Sequence, residues 1–505
     1  MKKSITALTM ALGFAACLNA AEIAKLPTAK VAEGKTSPKY VFVFVGDGMS
    51  YPQIQSASYF SGKDAAGIVD VVKKSENPSD SPKSQFLSFQ KFPIAGSAQT
   101  YDATSFAPDS ASTATSIFTG YKTHSSSINV DITKKIKYPT IGEQLRDQKK
   151  WKIGVISSVN LNHATPAAMY AHQASRKSNY PIGLELVESN FDYFAGGALM
   201  EPQDKNKDKE SIYDLAKKAG YKVCFKQSEA DALKNGDKAL VIAETLADGD
   251  SFSYDNDRGA NEWALRDYVR KGIEVLDNKN GFFMMVEGGK VDWACHANDA
   301  RSSIADTIAL ADAVEEAVDF YNKHPSDTLI IVTADHETGG LTIGFAGTDY
   351  NLFFRTLESQ QISYAKFDSD FVADYKKNKT SFADVMIDVQ NLFGLKMPGT
   401  STSSVTADGD KDGGLVLTDY ELAQIKRAYE KTMSGDKELS QEEYELYGTY
   451  EPLTVTITHI LNHKSGIGFT SYSHTGLPVP VYALGCGQEL FKGYYDNTQI
   501  YKKMA

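Results

Sequence analysis

Met284-Met-Val-Glu287-Gly-Gly-Lys-Val-Asp292-Trp-Ala-Cys-His296-Ala-Asn-Asp-Ala300 is the stretch from which the fold is read. The apolar run Phe282 to Val286 stops at Glu287, two glycines release the backbone, and Asp292 and His296 follow four residues apart. That pattern predicts a buried strand running into a helix start. Residues at i and i+4 share a helix face, so Asp292 and His296 can grip one ion while Glu287, at the strand end, faces a second. A carboxylate oxygen with an imidazole nitrogen suits zinc, and a lone carboxylate suits a harder ion such as magnesium. Acidic residues are also common in any first helical turn, so this run alone does not decide between a metal site and an ordinary helix end.

Two further strands end the same way. Tyr40 to Val45 is continuously β-branched and aromatic, as in a strand covered on both faces of a parallel sheet. It is followed by Gly46-Asp47-Gly48-Met49, where glycines on both sides let the Asp47 carboxylate approach a ligand closely; alone, this is also a plain Asp-Gly turn. Thr328 to Val332 leads into Thr333-Ala-Asp335-His336, and both polar residues can reach one ion where the chain leaves the pleat. The strand Trp151 to Ser158 is followed by His163-Ala-Thr165-Pro166, which predicts a helix opened by Pro166 with the Thr165 hydroxyl left at its mouth.

Phe106-Ala-Pro-Asp109-Ser110 precedes two turns of small residues, a closely packed helix whose N-terminus carries Ser110, where backbone amides and the dipole favour an anion. The simpler role for Asp109 or Ser110 is a helix cap. Arg176, read here as helical, offers a planar fork suited to phosphate oxygens. His459 and His463 have the i, i+4 spacing of a zinc pair, whereas His474 stands in a loop closed by Gly476, and spacing does not choose between them.

The chain has 505 residues, is 42% hydrophobic and 23% charged, and is therefore globular rather than disordered. Met1-Lys-Lys3, the apolar run Ile5 to Cys17 and small residues to Ala20 predict an export signal over residues 1–20 and a periplasmic or secreted product. A faint lipoprotein box ending at Cys17 is the weaker alternative, because Phe14 stands where Leu is preferred. No later run reaches the length of a membrane span. Losing Lys2 and Lys3 takes the formal charge from -11 to -13, which argues against nucleic acid as a partner. Cys224, Cys295 and Cys486 remain, too few for a disulfide framework.

Residues 345–450 differ from the rest, being aromatic and polar, and are expected to be an insertion within an α/β domain spanning 21–505. Asp408, Asp410 and Asp412 resemble part of a calcium loop, but its twelfth position is Asp419 and no helix enters it, so a structural loop is favoured over calcium. Thr418 with Glu421, and Ser440 with Glu443, predict two capping boxes.

Strands ending in Asp47, Glu287 and Asp335-His336 would bring their residues together at the carboxyl edge of one mostly parallel sheet flanked by helices, where α/β folds bind ligands. Jointly the motifs resemble the alkaline phosphatases: Gly46-Asp-Gly-Met49, Asp109-Ser-Ala111, Ala164-Thr-Pro166 with Arg176, Val286-Glu-Gly288 with Asp292 and His296, Thr333-Ala-Asp-His336 and His474-Thr-Gly476. The resemblance implies a phosphomonoesterase of broad specificity, dimeric, with a crown-like insertion. It implies Ser110 as nucleophile through a phosphoserine, Arg176 as phosphate clamp, one zinc on Asp292, His296 and His474, a second on Asp47, Asp335 and His336, and magnesium on Asp47, Thr165 and Glu287. It makes His459 and His463 structural.

His163 and Trp293 stand beside the ligands where some bacterial members have Asp and Lys, which leaves magnesium affinity and pH optimum open. A metal-dependent phosphodiesterase or sulfatase shares the same core. The sulfatase would need a Cys/Ser-x-Pro-x-Arg setting and the diesterase usually a Thr, neither of which Asp-Ser-Ala provides. A non-catalytic periplasmic metal-binding protein would have no use for Ser110 and Arg176.

Overall fold

The computed structural model describes residues 37–62, 83–204, 206, 208–399 and 415–505. The expected signal, Cys17 and the Asp408 to Asp412 loop lie outside these residues. Fourteen strands are found among them. The larger ones are β1 (Tyr40–Gly46), β2 (Ile94–Gln99), β3 (Lys152–Asn160), β4 (Tyr193–Gly197), β5 (Lys222–Cys224), β6 (Ala239–Ile242), β7 (Phe282–Gly288) and β8 (Thr328–Ala334). Four two-residue strands follow, β9 (Glu337–Thr338), β10 (Thr342–Ile343), β11 (Ile467–Gly468) and β12 (His474–Thr475), and then β13 (Val479–Gly485) and β14 (Gly493–Asp496).

Ten of them form one sheet in the order β14-β2-β13-β8-β1-β7-β3-β4-β6-β5. Only the pairings of β13 with β8 and β2 are antiparallel; the others are parallel. Phe42, Val43, Phe44 and Val45 are fully buried, which is why β1 lacks the alternation of a half-exposed strand. Each such side chain contributes about 1.5–3 kcal/mol of hydrophobic burial.

The helix Ala300–Lys323 packs on one face against the helices Tyr51–Ser61, Leu265–Leu276 and Lys290–His296. Its buried residues include Ile304, Ala311, Val314 and Tyr321 at helical spacing, whereas Ile308 and Val318 are half-buried. No helix among the described residues is long and apolar enough to cross a membrane.

Register positions the site. Gly46 pairs with Gly288 on one side and with Ala334 on the other. Asp47 and Asp335 therefore leave the sheet level with each other, one residue past a β7 end that presents Glu287. Gly48 has φ +69°, and a Cβ there would stand 2.8 Å from Thr338 Oγ1 and 3.0 Å from Asp292 Cα, so this turn admits only glycine.

Two local expectations are corrected. The helix after β3 is Ala164–Ala167, with His163 at its N-cap, so Pro166 is its third residue and Thr165 its second. Proline is tolerated there because the first-turn amides have no partner within the helix. Arg176 is in a turn before the helix Asn179–Glu188, its amide bonded to the Ser126 carbonyl across 2.8 Å. A tertiary contact, which local periodicity does not report, fixes its backbone.

Candidate functional site

Ser110 opens the helix Ser110–Thr119, and Asp109 is its N-cap, accepting from the Ser112 amide. The serine is 1% exposed. Its Oγ lies 3.1 Å from His336 Nε2 and 3.4 Å from Asp47 Oδ1. Arg176 donates from Nη1 to Asp109 Oδ2 across 3.0 Å, while its Nη2 is 3.0 Å from His163 Nε2. The residue that caps the serine's helix thus also holds the arginine.

Three groups of metal-type side chains bring ligand atoms within 4.8 Å of one another: Asp292, His296 and His474; Asp47, Asp335 and His336; Asp47, His163 and Glu287. Thr165 joins the third through its hydroxyl, which donates to Asp47 Oδ2 across 3.3 Å. Every ligand expected from the sequence is therefore in this constellation, together with Ser110 and Arg176. His459 and His463 are apart from it: His459 pairs with Asn298 Oδ1 and His463 stacks on Phe345. Cys295 and Cys224 are buried thiols without a bridge.

The donors fit cations. His296 and His474 each direct Nδ1 to a backbone carbonyl, of Tyr472 and Pro108, at 2.6 Å. A carbonyl only accepts, so Nδ1 carries a proton in each ring and the two Nε2 atoms face each other 3.0 Å apart. A cation between them reconciles that arrangement. Burial lowers the pKa of His336 and His474 to about 4, which keeps both rings neutral and able to ligate.

Burial raises three of these carboxylates, Asp47, Asp335 and Glu287: Asp47 stands well above the usual range, with Asp335 and Asp292 adding to the effect. Asp335 rises to about 6, and Glu287 to about 8 despite the bond it accepts from Ser157 Oγ at 2.5 Å. Glu287 Oε1 and His163 Nδ1 are buried without a hydrogen-bond partner, an arrangement that costs free energy unless a ligand satisfies it.

Of the residues that support the site, Thr338 and Lys290 had no strong signal in the sequence. Thr338 Oγ1 donates to Asp292 Oδ1 across 2.5 Å, and Gly48 N donates to Asp335 Oδ1 across 3.2 Å. Trp293 packs edge-on against His163, and the buried Lys290 ammonium lies 4.6 Å from the Trp293 ring centroid and 3.8 Å from that of Tyr254. His163 was read as a neighbour of the ligands, yet its ring also brings a ligand atom into the third group.

A parallel α/β sheet whose carboxyl edge carries a buried serine, an arginine and grouped carboxylates and imidazoles defines a hydrolase with metal-binding potential. Comparison with known proteins names the family. The family model described as alkaline phosphatase matches residues 38–505. Alkaline phosphatase 4 of Bacillus subtilis (strain 168) is 30% identical over 478 residues, covering 92% of this chain and 88% of that one. The cold-active alkaline phosphatase of Shewanella sp. is 27% identical with a TM-score of 0.71, covering 92% of this chain and 98% of that one. The alkaline phosphatase of Thermus thermophilus has the same fold, with a TM-score of 0.69 at 20% identity over 93% of this chain and 91% of that one. The chain belongs to the alkaline phosphatase family and is a phosphatase acting on phosphate monoesters.

Proposed function

We propose that hydrolysis runs through a phosphoserine on Ser110 at a centre holding two zinc ions and one magnesium ion. The observation that carries this reading is the Ser110 hydroxyl 3.1 Å from His336 and 3.4 Å from Asp47, at the N-terminus of a ten-residue helix. Asp292, His296 and His474 would hold one zinc, and Asp47, Asp335 and His336 the other; their mixed nitrogen and oxygen donors suit that ion. Asp47, Thr165 and Glu287 would hold magnesium with oxygen alone. When bound, these cations lower the pKa of the serine hydroxyl and neutralise charge on the phosphoryl and leaving oxygens.

The chain's own groups do the rest. Ser110 Oγ gives its proton to solvent water and attacks phosphorus in line; the Oγ–P bond forms, the P–O bond to the alcohol breaks, and the departing alkoxide takes a proton from water. Water then attacks phosphorus from the vacated side, the Oγ–P bond breaks, Ser110 regains a proton and phosphate departs. Arg176, held by Asp109 and His163, pairs with two equatorial oxygens in both steps. The helix N-terminus adds its partial positive charge.

Residues 1–20 as an export signal, 345–450 as the insertion and a homodimer in the periplasm complete the proposal. The test is turnover of p-nitrophenyl phosphate at alkaline pH before chelation, after it and after zinc-plus-magnesium repletion, with Ser110→Ala and a diester alongside. Zinc-dependent monoesterase activity that disappears in Ser110→Ala supports the reading. Retained activity in that variant, or a preference for the diester, overturns it.

A further inference from the structure

Glu337 follows His336, is fully buried, and accepts four hydrogen bonds from three parts of the chain. Oε1 accepts from Gln53 Nε2 at 2.8 Å and from the Leu341 amide at 3.1 Å. Oε2 accepts from the Gly340 amide at 3.1 Å and from the Thr475 hydroxyl in a very short contact. All four donors are neutral; no lysine or arginine is among them. Each donor belongs to a segment next to the metal groups. Gln53 is on the helix that follows Asp47, and its amide nitrogen also donates to Thr338 O and lies 3.8 Å from Cys295 Sγ, beside His296. Thr475 follows His474, and Thr475 faces Glu337 where β12 pairs with β9.

A buried carboxylate is costly unless it is fully hydrogen-bonded, and one that is fully bonded fixes its donors in place. The position after a ligand at a strand end can be filled by any small residue that fits; a carboxylate here is explained by what it ties together. We propose that Glu337 is a positioning residue: it clamps the segments carrying His336, His474 and Asp47 into one arrangement, so the spacing of the zinc ligands is set before any ion arrives. Glu337 touches neither substrate nor ion in this role. The inference rests on the zinc assignment above.

The replacement Glu337→Gln preserves shape but turns one oxygen into an NH2 group facing two N–H or O–H donors, and Thr475→Val removes one donor with little change in volume. Zinc retention is measured by competition with a chromophoric chelator, and folding of the zinc-free proteins by circular dichroism. Ligand-orienting partners alter metal affinity about 10–100-fold. Glu337→Gln is therefore expected to lose zinc at a chelator concentration about tenfold or more below wild type while still folded, and Thr475→Val to shift in the same direction. Wild-type zinc retention in a folded Glu337→Gln protein overturns the proposal, as does wild-type retention in Thr475→Val if Glu337→Gln does not fold. Wild-type protein that retains no zinc at all overturns the zinc assignment instead.

Discussion

Nη1 of Arg176 donates to Oδ2 of Asp109 across 3.0 Å, linking the arginine to the residue that caps the helix begun by Ser110. Burial opposes ionisation of Asp109, but the guanidinium and the Ser126 and Ser112 amides together hold its carboxyl below the usual range. In the proposed mechanism an anionic Asp109 orients the arginine and leaves its remaining N–H groups for phosphate. Arg176→Ala removes charge-assisted hydrogen bonds of about 1.5–3 kcal/mol each. At about 1.4 kcal/mol per factor of ten, losing two such bonds lowers kcat/KM roughly 100–10,000-fold, and inhibition by inorganic phosphate weakens in parallel. Steady-state kinetics with phosphate as inhibitor check this; an unchanged phosphate inhibition constant would place the arginine outside the phosphate site.

Removing the metals should make stability fall with pH. Burial raises Asp47, Asp335 and Glu287 in the folded chain, the last two to about 6 and about 8. An acid whose folded pKa is raised keeps a proton that the unfolded chain has released. Its stability is therefore greatest below the unfolded value and is lost as pH rises through the folded one. Below about pH 6.5 the depressed His336 and His474 add the opposite slope, so chelated protein should melt at progressively lower temperature from about pH 7 to about pH 8, and zinc-plus-magnesium protein should not. Calorimetry of both forms measures it, and parallel pH profiles would contradict it.

Lys290 tests the support beneath Trp293. Its ammonium is buried, 3.3 Å from Asp248 Oδ2 and 3.0 Å from Ser251 Oγ, between the Tyr254 and Trp293 rings. Breaking a buried ion pair costs about 3–5 kcal/mol; because Asp248 reaches solvent, Lys290→Met is expected near the lower end, about 3 kcal/mol. Urea unfolding monitored by tryptophan fluorescence reports the loss, and an unchanged midpoint would show that the lysine contributes nothing net.

Thr418 lies on the other side of the question. Its side chain accepts from the Glu421 amide at 3.1 Å and the Glu421 carboxylate accepts from the Thr418 amide at 2.8 Å, closing a capping box on the helix Asp419–Ser434. Thr418→Ala should cost about 1 kcal/mol of stability and leave kcat/KM unchanged. A change in kcat/KM would tie that helix to the catalytic centre.

Legibility in the sequence followed from how local each cause is. β1, β7 and β8 stand out because strands covered on both faces become unbroken apolar runs, and their polar ends mark the carboxyl edge where Asp47, Glu287 and Asp335 meet. The Thr418 and Ser440 boxes were readable because four consecutive residues contain the whole interaction. Arg176 was misplaced onto a helix because Ser126, fifty positions earlier, holds its amide. The roles of Thr338 and Glu337 depend on β9 meeting β12, more than a hundred residues later, so nothing beside them in the chain announces those contacts.

The most direct test of the account is rapid acid quenching during turnover of a phosphate monoester, followed by mass mapping of the peptides. The account predicts a phosphoryl group on the peptide containing Ser110 in the wild-type protein and none in Ser110→Ala, which is also inactive. A phosphoryl group on another residue, or turnover that survives in Ser110→Ala, would contradict it.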